Sequence, residues 1–191
     1  MTFADVLRPS AKRYVLAYDV SLVVGGSLFV ALAAQVAIPL PFSPVPITGQ
    51  TLAVLLTGAL LGSRRGSLAL LMYLAEGAAG LPVFAGGGGG PARLAGPTGG
   101  YLIGFVAAAF ITGLLAERGW DRRVGTTLLA MLVGNIALYA FGLPWLACFV
   151  ESGRVLTLGL LPFIPGDLLK LALATALLPL GWKLMEERIA R

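Results

Sequence analysis

The residues best suited to chemistry are an acid and a base in the segment Pro165-Gly166-Asp167-Leu168-Leu169-Lys170. Side chains three positions apart on a helix lie on the same face, so Asp167 and Lys170 are predicted to point the same way. A carboxylate accepts hydrogen bonds from ligand N–H groups, and an ammonium donates to a carbonyl or carboxylate oxygen. Because ionised groups are costly beside hydrocarbon, this pair is a candidate binding site for a polar ligand.

Three structural interpretations of the same pair compete with ligand binding. Asp167 follows Pro165-Gly166 and would serve well as a helix N-cap. Lys170 could extend its ammonium to the membrane surface. The two side chains could also form an ion pair with a purely structural role. Spacing alone does not choose between these interpretations and a ligand site.

Two other charged residues lie within or beside apolar segments. Glu76, in the segment Tyr73-Leu74-Ala75-Glu76-Gly77, is predicted to be a pocket residue or a partner for Arg93 or Lys170. Asp19, near the start of the first apolar segment, is predicted to be a solvated group at the membrane interface.

Enzymatic and metal chemistry find little support in the sequence. The chain has no histidine and a single cysteine, Cys148, which makes a Cys/His metal site implausible. It has no serine in a nucleophile-elbow sequence. The run Gly86–Gly90 does not lead into the Gly-Lys-Ser/Thr of a phosphate-binding loop. We therefore predict a non-enzyme without an ATPase site, whose energy for any uphill transport comes from partner proteins or an ion gradient.

Composition predicts an all-α integral membrane protein with a single domain over residues 1–191. Hydrophobic residues make up 58% of the chain and charged residues only 12%, far from the balance of soluble domains. A helix needs roughly 20 apolar residues to cross a bilayer. The sequence indicates six membrane-spanning helices, of which the second and third are short, at about 15–38, 50–62, 66–80, 98–116, 124–142 and 166–184.

Basic residues orient these six segments. If the spans alternate, eleven of the fourteen lysines and arginines fall on one side, which the positive-inside rule makes cytoplasmic. Both termini are then cytoplasmic in the cell (inner) membrane. The exceptions are Arg93, Arg154 and Lys170. A secretion signal is disfavoured because the first apolar run is longer than a signal peptide core.

The predicted outer connections are rich in glycine and proline, whereas the cytoplasmic ones are short and charged. Prolines occupy positions 39, 41, 44 and 46 of the first outer loop, and Gly86–Gly90 belongs to the second. The third outer loop covers residues 143–165. Irregular backbone at membrane depth is tolerated where it is buried or lines a cavity. One such loop could be an ordinary turn. Three on one face instead favour a capped ligand pocket that opens outward.

Four motifs resemble the BioY family, in the same order along the chain. They are PVPITGQTL at 44–52, GLPVFA at 80–85, GPTGGYLIGF at 96–105 and PFIPGDLLK at 162–170. The resemblance implies the biotin-specific S component of an energy-coupling factor (ECF) transporter, with six membrane helices and biotin held near the outer face. It also implies two kinds of partner, namely a transmembrane coupling protein and cytoplasmic ATPase subunits that alone use ATP.

Carried over by position, the resemblance makes Asp167 and Lys170 polar contacts for the ureido ring of biotin, which offers two N–H donors and one carbonyl acceptor. The remaining lining is predicted to come from the first loop and the glycine-rich block, including Thr48, Gln50, Gly99 and Tyr101. No metal or covalently bound cofactor is implied.

The sequence departs from the family pattern at two positions. Some members carry asparagine at the position of Gly88 and arginine at the position of Leu102. Arg93 is a candidate to supply the missing positive charge to the valerate tail. Docking on the coupling protein is predicted to use small residues four apart, Ala33 and Ala37, although such residues also pack helices within one chain.

Three alternative functions remain open from the sequence. The chain could bind another small vitamin as an S component. It could be a membrane scaffold whose outer loops bind a polypeptide, or a self-sufficient secondary transporter, although no inverted repeat is evident.

Overall fold

The computed structural model describes residues 1–189, and these are mostly helical. The helices are α1 (Phe3–Val6), α2 (Lys12–Gln35), α3 (Gln50–Leu61), α4 (Ser63–Ala78), α5 (Pro91–Ala95), α6 (Gly99–Glu117), α7 (Val124–Leu146), α8 (Val155–Gly159) and α9 (Ile164–Ile189). Two short strands, β1 (Ala37–Leu40) and β2 (Ser43–Thr48), follow α2.

Helices α2, α3, α4, α6, α7 and α9 overlie the six apolar segments predicted from the sequence. Among the residues that the structure describes, four helical segments are long and apolar enough to cross a membrane: Lys12–Gln35, Gly99–Glu117, Val124–Leu146 and Ser152–Glu187, the last of which overlaps most of α9. Helix α3 is apolar but shorter. It is buried along most of its length, so it is embedded among its neighbours.

The first outer loop is a β-hairpin, whereas the sequence indicated only a stiff proline-rich connection between helices. Strand β1 pairs antiparallel with β2, with Ala37 opposite Thr48 and Ile38 opposite Ile47. The register is irregular around Pro39, which has no N–H to donate to the ladder. Proline disfavours helix and fixes an extended backbone, so the prolines at 39, 41, 44 and 46 explain why α2 ends at Gln35.

Helix α6 is the centre of the bundle and packs against α3, α4 and α7. The contact with α3 is close because Gly58 has no side chain. A Cβ atom at Gly58 would lie 2.4 Å from the backbone oxygen of Ala109. Gly62, with a φ of +87°, makes the sharp turn that folds α4 back beside α3.

An ion-pair cluster ties the N-terminal segment to the bundle at the predicted cytoplasmic end. Arg65 pairs with Asp5 at 2.8 Å and with Asp19 at 2.7 Å, so Asp19 is ion-paired and not simply a solvated group as predicted. Burial acts to raise the pKa of Asp5, but hydrogen bonds from Thr2 and Arg65 outweigh it and hold the pKa below its ordinary value.

A buried carboxylate, Asp121, lies at the same end, in the turn between α6 and α7. The indole nitrogen of Trp182 on α9 donates to Asp121 at 2.6 Å, and Arg122 lies over the same indole ring. Burial raises the pKa of Asp121, although the hydrogen bond from Trp182 opposes that shift. The side chain of Arg188 and all of Arg191, which belong to the predicted cytoplasmic cluster, lie outside the described residues.

Candidate ligand-binding site

A cavity of about 70 Å³ lies at the end of the bundle opposite this ion-pair cluster. The β-hairpin and the glycine-rich loop, residues 79–98 between α4 and α6, close over it, and α3, α6, α7 and α9 form its walls. Its lining is Val45, Pro46, Thr48, Gln50, Thr51, Phe84, Ala85, Arg93, Thr98, Tyr101, Leu102, Phe105, Leu138, Tyr139, Phe163, Asp167 and Lys170.

Asp167 is the most extensively bonded polar group of the cavity and is only 6% exposed. Its Oδ2 accepts hydrogen bonds from the side-chain amide of Asn135 at 3.2 Å and from the hydroxyl of Tyr139 at 2.5 Å. Helix α9 begins at Ile164, so Asp167 lies in its first turn and is not the N-cap. A carboxylate there interacts favourably with the helix dipole.

Lys170 points into the protein and does not extend to the membrane surface. Its side chain is 15% exposed, and its Nζ donates to the hydroxyl of Thr51 at 2.7 Å. The same atom lies 3.4 Å from Oδ1 of Asp167, so the two predicted side chains form a loose ion pair at the cavity wall.

Gln50, Thr48 and Tyr101 also line the cavity. The amide nitrogen of Gln50 donates to the hydroxyl of Tyr73 at 2.6 Å. The hydroxyl of Tyr101 donates to the backbone oxygen of Gly159 at 2.9 Å, which joins α6 to the outer segment that contains α8. These two bonds join α3 to α4 and α6 to the segment that contains α8.

Arg93 lies at the outer edge of the cavity, where the glycine-rich loop faces the hairpin. It lines the cavity and also an outer depression formed with β1 and β2. A Cβ atom at Gly88 would lie 2.9 Å from Nε of Arg93, so the guanidinium crosses directly over Gly88. Leu102 presents an apolar side chain to the same cavity.

Two predicted site residues lie elsewhere. Gly99 is not among the lining residues and packs against Leu94, where a Cβ atom would lie 1.8 Å from the backbone oxygen. Glu76 is also absent from the lining, and its carboxylate accepts a hydrogen bond from Ser27 on α2. The prediction that Glu76 pairs with Arg93 or Lys170 is therefore wrong.

The small residues predicted for docking do not form one row on α2. Ala37 lies in β1, beyond the end of the helix, and so cannot continue a helical spacing from Ala33. Ala33 packs within the chain, since a Cβ atom at Gly49 would lie 2.9 Å from its backbone oxygen. Gly26 is likewise buried, whereas Gly25 is exposed, with nothing within 4 Å of where a Cβ would lie.

Sequence reasoning missed three residues that complete the polar site: Thr51, Asn135 and Tyr139. Asn135 was the one with a detectable signal, because a polar amide inside a long apolar helix requires a partner. The tyrosine four positions later lies on the same helix face.

The site is thus a charged and hydrogen-bonding patch on one wall of an otherwise apolar and aromatic cavity. Such an arrangement suits a small solute with N–H donors and an oxygen acceptor on an apolar ring. Within residues 1–189, no group of three or more metal-ligating side chains is close enough to hold an ion.

Comparisons with known proteins point to a single family. The family model for the BioY family matches residues 8–187. The chain is similar to the "Biotin transporter BioY" of Rhizobium etli, with 43% identity over 79% of this chain and 85% of that protein. It is also similar to the "Probable biotin transporter BioY" of Pyrococcus horikoshii, with 46% identity over 83% of this chain and 92% of that protein.

A solved structure agrees with these relatives. It is the crystal structure of the S-component for biotin from an ECF-type ABC transporter. The two structures align with a TM-score of 0.79 and 28% sequence identity, over 92% of this chain and 95% of that chain.

Proposed function

The chain belongs to the BioY family, and we propose from this premise that it is the biotin-binding S component of an ECF-type vitamin transporter. The resemblance predicted from the four sequence motifs is confirmed. The protein is a transporter subunit and not an enzyme. The observation that carries the proposal is the acid–base pair, Asp167 and Lys170, on the wall of an apolar cavity in a chain of this family.

The polar wall complements the ureido ring of biotin, because it offers an acceptor for a ring N–H and a donor for the ring carbonyl. Oδ1 of Asp167 accepts from a ring N–H, and the ammonium of Lys170 donates to the ring carbonyl. The bicyclic body of the ligand packs against apolar walls, chiefly Phe105, Leu138 and Phe163. Burial of that body supplies the hydrophobic part of the affinity.

Arg93 is positioned to bind the valerate carboxylate. Arg93 and Lys170 are the two cations in the described lining, and Arg93 also borders the outer depression formed with β1 and β2. The guanidinium over Gly88 therefore supplies a positive charge near the position where some relatives carry an asparagine side chain. Guanidinium groups bind carboxylates well because two parallel N–H donors match the two oxygens.

We further propose that α2, α3, α4, α6, α7 and α9 cross the cell membrane, with both termini in the cytoplasm and the cavity facing outward. The clustering of basic residues supports this orientation. Uptake would then require the transmembrane coupling protein and ATPase subunits of an ECF module, which use the ATP. The surface of α2 around Gly25 is open to such a partner, whereas Ala33 is occupied by packing within the chain.

Titration of the detergent-purified protein with biotin tests the proposed function. We expect saturable binding that weakens at least tenfold in both Asp167→Asn and Lys170→Ala, since each loses a charge-assisted contact. Lys183→Ala is the matched control, because Lys183 is an exposed lysine on the same helix. A panel of other vitamins is titrated in parallel. Tighter binding of a different vitamin would refute biotin as the solute, and unchanged affinity in both site variants would refute the site.

A further inference from the structure

Two polar residues of α7 donate hydrogen bonds to the carboxylate of Asp167. Asn135 and Tyr139 are four residues apart and lie on the same face of the helix. The amide nitrogen of Asn135 and the hydroxyl of Tyr139 both donate to Oδ2 of Asp167. The two residues thus bind one oxygen of the carboxylate and leave the other oxygen, Oδ1, for different partners.

The second oxygen, Oδ1, faces Lys170 at 3.4 Å. Two donors on Oδ2 fix the rotation of the carboxylate about its χ2 angle, which would otherwise turn freely between broad minima. Because Oδ2 is already bonded twice, a ligand donor is directed to Oδ1. Lys170 is restrained in turn by its hydrogen bond to Thr51 on α3.

The surroundings of the two α7 residues fit a positioning role. Asn135 is buried and does not line the cavity, so it reaches the carboxylate from the protein side. Tyr139 does line the cavity, and its ring packs edge-on against Tyr101, with centroids 6.1 Å apart and an interplanar angle of 87°. That packing holds the phenol ring while its hydroxyl meets the carboxylate.

We propose that Asn135 and Tyr139 are positioning residues that orient Oδ1 of Asp167 toward an N–H donor of the ligand. This inference rests on the proposed function, because it assumes that Asp167 accepts a hydrogen bond from an N–H group of biotin. Neither residue needs to touch the ligand. Their effect on binding passes through the carboxylate, and this separates them from residues that contact the ligand independently.

A double-mutant cycle tests the proposal on the full-length purified protein. Biotin affinity is measured by titration, and by competition with labelled biotin for weak binders, in Tyr139→Phe and Asn135→Leu. Each change is made in the natural chain and in Asp167→Ala. We expect each to weaken binding about tenfold in the natural chain, the usual effect of a lost hydrogen bond to a charged group. In Asp167→Ala the same changes are expected to alter affinity less than twofold, because the group they orient is gone.

Tyr18→Phe provides the matched control. It removes the same hydroxyl from a tyrosine at the other end of the bundle, where the group donates to the backbone of Ala4. We expect it to leave biotin affinity unchanged. Thermal unfolding of every variant confirms that the chain is folded.

The possible results separate the two claims. Absence of biotin binding by the natural chain would refute the proposed function and this inference with it. Biotin binding that both α7 variants leave intact would overturn the inference alone. An equal loss of affinity in the presence and absence of Asp167 would also overturn it, since that result indicates direct contact or general structural damage.

Discussion

Replacing Lys170 by methionine separates the structural role of the ion pair from its role in binding. The change keeps an apolar stem of similar length and removes two interactions, with Thr51 at 2.7 Å and with Asp167 at 3.4 Å. Removing one partner of a buried ion pair costs about 3–5 kcal/mol. The 3.4 Å separation is longer than the roughly 2.7–2.9 Å of a strong charge-assisted bond, so we expect a smaller loss of unfolding free energy, about 2 kcal/mol.

The double variant Asp167→Asn/Lys170→Met gives the decisive comparison. Because it removes both charges, we expect its unfolding free energy to lie within about 1 kcal/mol of the natural chain, well above Lys170→Met alone. Biotin affinity should not recover. Each single variant and the double variant should bind about 10–150 times more weakly, which corresponds to about 1.5–3 kcal/mol.

Denaturant titration in mixed micelles measures the stability, and calorimetric titration measures the affinity. Lys183→Met, an exposed lysine on the same helix, controls for the loss of a charge from α9. If the stability losses of Asp167→Asn and Lys170→Met simply add in the double variant, the two residues are not coupled. The account of the site as a charge pair would then be refuted.

Three further predictions concern separate parts of the molecule. Arg93→Gln should weaken binding of biotin about tenfold but leave the affinity for biotin methyl ester unchanged, because only the free acid offers a carboxylate to the guanidinium. Calorimetric titration measures both affinities, and an equal loss of affinity for the two ligands would contradict the prediction. Asp121→Asn should remove a stability penalty. Because burial raises the folded-state pKa of Asp121, the natural chain loses stability as pH rises through the ordinary carboxyl range, so the advantage of the variant in thermal unfolding should grow as pH rises above about 4. Gly58→Ala should destabilise the chain by about 1–3 kcal/mol, because the new Cβ would lie 2.4 Å from the oxygen of Ala109. Gly25→Ala is the control and should cause no loss of unfolding free energy, because no atom lies within 4 Å of the new Cβ. Equal effects of the two changes would disprove the packing argument.

The sequence revealed the cationic and anionic members of the site because a charge inside an apolar chain is conspicuous. Asp167 and Lys170 stand near the start of an apolar helix, and the motifs around them identify a family. Charged side chains are rare at membrane depth because they are costly there, so they can be recognised in the sequence without any knowledge of the fold.

The partners of those charges were not visible, because they depend on contacts between distant segments. Thr51 precedes Lys170 by 119 positions, and Asn135 and Tyr139 precede Asp167 by 32 and 28. Helical periodicity specifies which residues share a face, but not which neighbouring helix that face meets. Glu76 shows the same limit, since its partner, Ser27, is 49 positions away.

The β-hairpin after α2 was missed for a different reason. Prolines at alternate positions were interpreted as a stiff loop, although an antiparallel pair tolerates proline where the N–H faces away from the ladder. Strand β1 has only four residues and β2 only six, too few to give a periodic signal. The consequence was local: the hairpin moved Ala37 off the helix but left the cavity at the predicted end of the bundle.

In the proposed site, the internal bonds of the polar wall would keep both charges oriented for a ligand. Asp167 is held by α7, and Lys170 is held by Thr51 on α3, so both groups are oriented by the fold. A ligand then gains fixed partners without bearing the entropy of ordering them. The ion pair itself remains loose at 3.4 Å, which leaves each charge with bonding capacity directed at the cavity. Tight pairing would satisfy the two charges with each other and lower the gain on binding, so the geometry favours ligand recognition over a purely structural salt bridge.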